Sequence, residues 1–185
     1  MRASRAAAVI GVILAALTTG AARADAHTAN FAQQARQAGL TTTEAASLQR
    51  RVDTYLARTG GTQVAFNKID LDGKADLVLA LPGARSARDI SRSASYPWSV
   101  CESDWLCAFS QEDYQGDILR YYYCAYKLSM PFAGFGSYVN IQTPGTSAHF
   151  YDSNGSYMYD SLAAPYAPTP FNWTPVYWIK PCGAI

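Results

Sequence analysis

The chain has 185 residues, 49% of them hydrophobic and 16% charged, with a formal net charge of +1 and two histidines. That length suits one medium domain or two small ones. The near-neutral balance excludes the dense basic footprint of a nucleic-acid or membrane-surface binder, and so few histidines leave little for histidine-based catalysis.

The start reads as a targeting segment. Arg2 and Arg5 precede the apolar run AAAVIGVILAAL, and AARADA offers small residues for cleavage after Ala24 or Ala26. The run is too short to span a membrane as a mature helix, and no second long apolar run follows. Residues 1–24 are therefore expected to be a signal peptide, and the protein to be secreted, extracellular and without an anchor. Their removal leaves 12 basic and 14 acidic residues. Cleavage after Ala24 would leave Asp25-Ala26-His27, a terminus able to bind Cu(II) or Ni(II) in a square plane; cleavage after Ala26 would abolish that site.

Residues 25–82 read as a small helix-plus-hairpin unit. ANFAQQARQAG forms a short helix ending at Gly39. Thr41 and Glu44 make a capping-box signature ahead of apolar Ala45, Leu48, Val52, Tyr55 and Leu56, and Gly60-Gly61 stops that helix. TQVAFNKIDLDGKADLVLALPG then alternates and turns at Asp72-Gly73, a hairpin signal. The same stretch carries Asp70, Asp72 and Asp76 around Gly73, the spacing of part of a calcium loop, similar to the DxDGxxD end of loops in secreted propeller-type repeats. Lys68 occupies the first acidic position of such a loop, and calcium needs about six to eight oxygens, so the plain hairpin reading is preferred.

GARSARDISRSAS, residues 83–95, has no apolar periodicity and reads as a linker. Arg85, Arg88 and Arg92 make it cleavable, which would leave a mature fragment starting near Ser93. Beyond it the composition changes: 21 of the 24 aromatic residues lie after residue 95. LCAF, ILRYYYCAY, YVNIQ, AHFYD, YMYD and VYWIK are short strand-like runs separated by turn residues, which places an all-β sandwich or Greek-key domain at residues 96–185. The whole chain is thus expected to be α+β.

Cys101, Cys107, Cys124 and Cys182 all lie in this second half. In an exported protein four cysteines imply two disulfides, with three possible connectivities. CESDWLC is short enough to close a local ring, which would leave Cys124 with Cys182. A zinc site is the rival reading, but there is no second close cysteine pair and His149 is isolated.

Within CAFSQEDYQG, Phe109 leads into a tight corner, Tyr114 follows five positions later, and Gly116 permits a positive φ or a close backbone approach. This spacing resembles the Greek-key signature of βγ-crystallin-like domains. More specifically, CESDWLC, AFSQEDYQGDILRYYYC, GSYVN (with Ser137 and Asn140) and the degenerate HFYDSNGSYMYD together resemble the secreted actinomycete peptidase inhibitors of the Streptomyces metalloproteinase-inhibitor type, over roughly Cys101–Cys182. The resemblance implies a βγ-crystallin-like domain and a proteinaceous peptidase inhibitor. Its partner would be an extracellular protease of unassigned class, and the protein would work as a monomer without cofactor. The second motif departs from the pattern, because Phe150 plus five reaches Gly155 without the aromatic-x-glycine ending. GSYVN lacks the Ser/Thr-Ser pair of calcium-binding members, so weak or no calcium binding is expected there. The later cysteines do not repeat the short-range pair that closes the family's reactive loop, and no reactive bond carries over.

Enzyme readings are poorer. Ser147, His149 and Asp152 lie close in sequence, but no nucleophile elbow accompanies them. Glu112-Asp113 is an adjacent corner pair, and no phosphate loop or HExxH occurs. An inhibitor needs only a rigid loop, and Thr143–Ser147 and Leu162–Pro175 are the candidates. The runner-up is a binding module or a structural envelope protein, with Tyr121, Tyr122, Tyr123, Trp173 and Trp178 as an aromatic face; strand alternation would put Tyr121 and Tyr123 on one side and Tyr122 on the other.

Overall fold

The computed structural model describes residues 30–90, 101–124 and 127–183; the expected signal segment, its cleavage sites and His27 lie outside them. Among the described residues the protein is α+β and mainly antiparallel β, with two helices. Helix α1 covers residues 30–37 and α2 covers Thr42–Thr59. The capping box at α2 is formed: Thr41 Oγ1 accepts the Glu44 N–H at 3.3 Å, and Glu44 Oε2 accepts the Thr41 N–H at 2.8 Å. The Thr41 hydroxyl, which also donates to Glu44 Oε2 at 2.7 Å, and then the Thr41 N–H hold the Glu44 carboxyl below its usual range. Replacing such a cap typically costs about 1 kcal/mol.

Strands β1 (Thr62–Ala65), β2 (Lys68–Leu71) and β3 (Ala75–Val78) follow. Then come β4 (Leu106–Phe109), β5 (Ile118–Tyr121), β6 (Leu128–Ser129) and β7 (Phe135–Asn140). The last four are β8 (His149–Tyr151), β9 (Tyr157–Asp160), β10 (Phe171–Asn172) and β11 (Trp178–Lys180). The turn at Asp72-Gly73 is where the sequence placed it, with both residues at positive φ. A second turn, at Phe66-Asn67, was not legible. It is held from outside, by Gln34 accepting the Phe66 N–H and by buried Asn67 donating to the carbonyls of Leu79 and Arg88.

The strands form a seven-stranded sheet, in the order β1-β2-β3-β5-β4-β7-β10, and a four-stranded sheet, β6-β11-β8-β9. In the larger sheet β3 pairs antiparallel with β5, from Ala75 opposite Tyr121 to Val78 opposite Ile118. The composition step at residues 83–95 is therefore no break in hydrogen bonding. The described part of the expected linker is docked at its backbone, though residues 83–86 and 88 are exposed: the Gly116 N–H donates to the Arg85 carbonyl, the Ala87 N–H donates to the Gly116 carbonyl, and Ala87 is buried. Composition misses such docking because backbone groups make it, whatever the side chains. Residues 91–95 lie outside the described residues.

Alternation gives the large sheet two different faces. Ile69, Leu71, Ala75, Leu77, Leu106, Ala108, Leu119 and Tyr121 join Leu48 and Val52 of α2, and Phe150 and Ile179 of the small sheet, in one apolar cluster. The other face carries a smaller cluster of Val78, Cys107, Phe109 and Ile118, and beside it a buried charge ladder. Arg120 donates to both oxygens of Asp76, and Lys68 bridges Asp76 and Asp89 at 3.0 and 2.9 Å. Burial works to lower the Arg120 pKa, but the Asp76 and Asp89 contacts outweigh it and raise it. Removing one partner from a buried pair of this kind costs about 3–5 kcal/mol.

Two disulfides are present, Cys101–Cys107 and Cys124–Cys182, so all four cysteines pair as the local-ring arrangement requires.

Candidate functional site

The site is built outward from strand β7. Its neighbour β4 ends at Phe109, and the chain turns through Ser110–Gln115 into β5. The Phe109 and Tyr114 rings meet edge to face, 5.7 Å between centroids and 74° between planes. Gly116 has φ +78°, and a Cβ there would lie 2.2 Å from Ser110 Oγ. That hydroxyl is itself fixed, since it accepts the Asp117 N–H at 2.8 Å. Glycine is thus required at Gly116 on both conformational and steric grounds.

Ser137 on β7 is buried and locks this corner: its Oγ accepts the Tyr114 N–H at 2.9 Å and donates to the Gln111 carbonyl at 2.9 Å. Phe109, Tyr114, Gly116 and Ser137 therefore converge on one structural element. The Asp117 carboxylate beyond it ties in α2, accepting from Arg51, from the Tyr55 hydroxyl at 2.8 Å and from the Ala80 N–H at 2.9 Å. Burial, and then the Asp117 charge, push the Tyr55 hydroxyl pKa up.

Asn140, the last residue of β7, clamps both candidate loops. Its amide donates to the Thr146 carbonyl at 2.9 Å and to the Leu162 carbonyl at 3.1 Å. Its backbone exchanges two hydrogen bonds with Tyr166, at 2.8 and 3.0 Å. The Ala164 N–H donates to Thr146 and the Gly145 N–H donates to Ala164, so the Thr143–Ser147 turn supports the longer loop. The corner holds its far end: the Tyr114 hydroxyl donates to the Ala167 carbonyl at 2.8 Å, and the Asp113 N–H donates to Thr169 Oγ1 at 3.0 Å. Between these anchors Leu162, Pro165, Tyr166 and Ala167 are exposed. The loop includes cis peptides at Ala164–Pro165 and Thr169–Pro170.

Other sequence candidates are separated. The five-residue aromatic face is not assembled: Tyr121 and Trp173 are in the core, Tyr122 packs against Trp105, Tyr123 projects beyond the end of β5, and Trp178 lies on the other sheet. Packing demand, not strand alternation alone, decides which rings are covered. An aromatic row with exposed Trp178 and Tyr157 flanking half-buried Tyr151 does exist elsewhere. Trp178, Tyr151 and Tyr157 stand opposite one another across β11, β8 and β9. Lys127 Nζ sits 3.7 Å from the centre of the Tyr151 ring.

The Ser147-His149-Asp152 grouping is not assembled either. Asp152 Oδ1 accepts the backbone N–H groups of Asn154 and Ser156, making a local turn. The partner of His149 Nδ1 is Asp160, which also accepts from the Tyr157 hydroxyl at 3.1 Å. The sequence could have pointed to Asp160 only through the pairing of β8 with β9, which sets His149 opposite Asp160.

The partial calcium spacing is dispersed as well. Asp76 is paired with Arg120 and Lys68, Asp70 accepts the Gly73 N–H at 3.0 Å, and Asp72 faces Lys74. Among the described residues no group of three or more His, Cys, Asp or Glu side chains is arranged to hold a metal ion, and no helix is long and apolar enough to cross a membrane. No protein-family model, curated protein or solved structure matches the chain.

Proposed function

We propose that the protein is a secreted peptidase inhibitor. In this reading a disulfide-tied, βγ-crystallin-like Greek-key domain offers one rigid loop to the cleft of an extracellular protease and does no chemistry of its own. The observation that carries the reading is the clamping of Leu162–Pro170, held along its inner edge by Asn140 and at its far end by Tyr114 and Asp113. A loop already ordered loses little conformational entropy on binding, the chief physical requirement of an inhibitor.

The Tyr166 backbone N–H and carbonyl are both engaged by Asn140, which fixes the loop against β7. The loop would enter the cleft through the outward side chains of Pro165, Tyr166 and Ala167. The test is inhibition by the purified, oxidised mature protein of thermolysin-like, subtilisin-like and trypsin-like proteases, with and without reductant. Tight inhibition of one class is expected, lost on reduction and weakened about 30-fold or more by Tyr166→Ala, the scale of an aromatic anchor worth about 2 kcal/mol. A folded protein that inhibits none of the three would reject the reading.

The second reading is a non-inhibitory binding module, and the row of Trp178, Tyr151 and Tyr157 favours it. It predicts retention on an insoluble polysaccharide, abolished by Trp178→Ala with Tyr157→Ala.

A further inference from the structure

The sheet face turned away from α2 holds a cavity of about 320 Å³, lined by Val64, Lys68, Asp70, Asp76, Trp105 and Tyr122. That volume lies at the lower end of the range of small-molecule sites, about 300–1,000 Å³. Its charges are unevenly matched. Asp76 on the floor is served twice, by Arg120 through both oxygens and by Lys68 at 3.0 Å. Asp70 stands directly opposite Asp76 across β2 and β3, and like charges in that position repel. Yet the Asp70 contacts among the described residues are two neutral donors, the Gly73 N–H at 3.0 Å and the Tyr122 hydroxyl at a long 3.5 Å. Lys68, two residues away on the same strand, is drawn instead to Asp76 and Asp89. The walls are aromatic: the Trp105 and Tyr122 rings lie 5.3 Å apart at 43°. Arg120 sits over Trp105, 5.4 Å from its centre, so the ring already has a cation of the chain's own and offers the cavity an apolar surface. Burial, and then the Asp76 and Asp70 charges, push the Tyr122 hydroxyl pKa up to about 12, so at neutral pH it stays a donor and adds no charge.

We infer that this cavity binds a primary ammonium group on an alkyl stem, the chemistry of a lysine side chain, with the ammonium on Asp70 and the methylenes against Val64, Trp105 and Tyr122. An ionised carboxylate is acceptor-only and forms its strongest hydrogen bonds with charged donors. A primary ammonium supplies three such donors. It also gives Asp70 the counter-charge that its cross-strand neighbour already has twice. The site is independent of the Leu162–Pro170 loop, so either assignment can fail without the other.

The experiment is an NMR titration of the full oxidised protein, following the Trp105 indole N–H, with n-butylammonium and, separately, with the neutral isostere 1-butanol. Saturable shifts are expected with the amine, and an affinity about tenfold or more weaker with the alcohol. Asp70→Asn keeps the acceptor for Gly73 while removing the charge, and is expected to weaken the amine about tenfold. Nα-acetyl-lysine amide separates the sources. Binding at least as tight as butylammonium would assign the site to a lysine side chain of a protein partner, and weaker binding to a free small amine. Equal responses to amine and alcohol, a response to glucose as strong as to the amine, or an unchanged affinity in folded Asp70→Asn would each overturn the inference. The amine–alcohol comparison needs no variant and decides the matter even if Asp70→Asn does not fold.

Discussion

The corner at Ser110–Gly116 and the turn at Asp152–Gly155 are anchored to different extents by the rest of the chain. At the first, the hydrogen bonds reach far along the chain: Tyr114 donates to Ser137 and to Ala167, and Asp113 donates to Thr169. The bridge beside it is local, joining Cys101 and Cys107 across a separation of six residues. At the second, the hydrogen bonds are mostly local, with Asp152 accepting from Asn154, Gly155 and Ser156. Its far-reaching tie is the Lys127 ammonium, which donates to the Gly155 carbonyl at 2.7 Å from 28 residues away, while the opposite end of β8 is secured by Cys182, which follows β11 and bridges to Cys124 across 58 residues. The first region is thus held far along the chain by several hydrogen bonds, the second by one lysine contact and, at the other end of β8, a covalent bridge. A small β domain with limited core can use either to offset chain entropy.

The largest test of this contrast is to open the bridges one at a time. Loop-closure entropy predicts a loss of about 4 kcal/mol for Cys124→Ser with Cys182→Ser, against about 2 kcal/mol for Cys101→Ser with Cys107→Ser, measured by urea unfolding. Equal losses would mean that the longer bridge secures no more of the chain than the local one. Next comes Gly116→Ala, where the new Cβ meets a fixed hydroxyl at a positive φ; about 3 kcal/mol is expected from strain and overpacking together. Ser137→Ala removes the buried hydroxyl that pairs the Tyr114 N–H and the Gln111 carbonyl and should cost about 1–2 kcal/mol, with increased hydrogen exchange at the Tyr114 amide. The smallest effect is expected at Gly155→Ala. Its φ is also positive, +77°, but the nearest atom to a new Cβ is Lys127 Nζ at 3.8 Å, so only the backbone term of about 1 kcal/mol applies. A Gly155 loss as large as the Gly116 loss would erase the distinction between the two regions.

Local signals were legible in the sequence. The capping box, the Asp72-Gly73 turn and the spacing of Phe109, Tyr114 and Gly116 each involve residues within a few positions, where φ preference and side-chain reach suffice. The candidate loops were legible as proline- and glycine-rich connections, but what holds them was not. Asn140 was marked by the sequence only as a member of the GSYVN motif, and its clamping role emerges when β7 comes to lie beside both loops. His149 suggested a neighbour in sequence, Asp152, whereas strand pairing supplies Asp160. The proposed ammonium site draws Asp70, Trp105 and Tyr122 from three places in the chain, so no window of sequence contains it.

By itself the sequence determined the α+β character, the start of α2, the hairpin at Asp72-Gly73, the Phe109–Gly116 corner and a set of cysteines able to form two bridges. These depend on local conformational preference and on alternation, which act over a few residues. Only the tertiary structure decided that β3 pairs with β5 across the composition step, that Arg120 meets Asp76, that Tyr121 and Trp173 fill the core while Trp178 and Tyr157 face outward, and that one strand clamps two loops. Those outcomes follow from burying apolar area and pairing buried polar groups over the whole chain at once, and that is a property of the assembled fold, not of any segment.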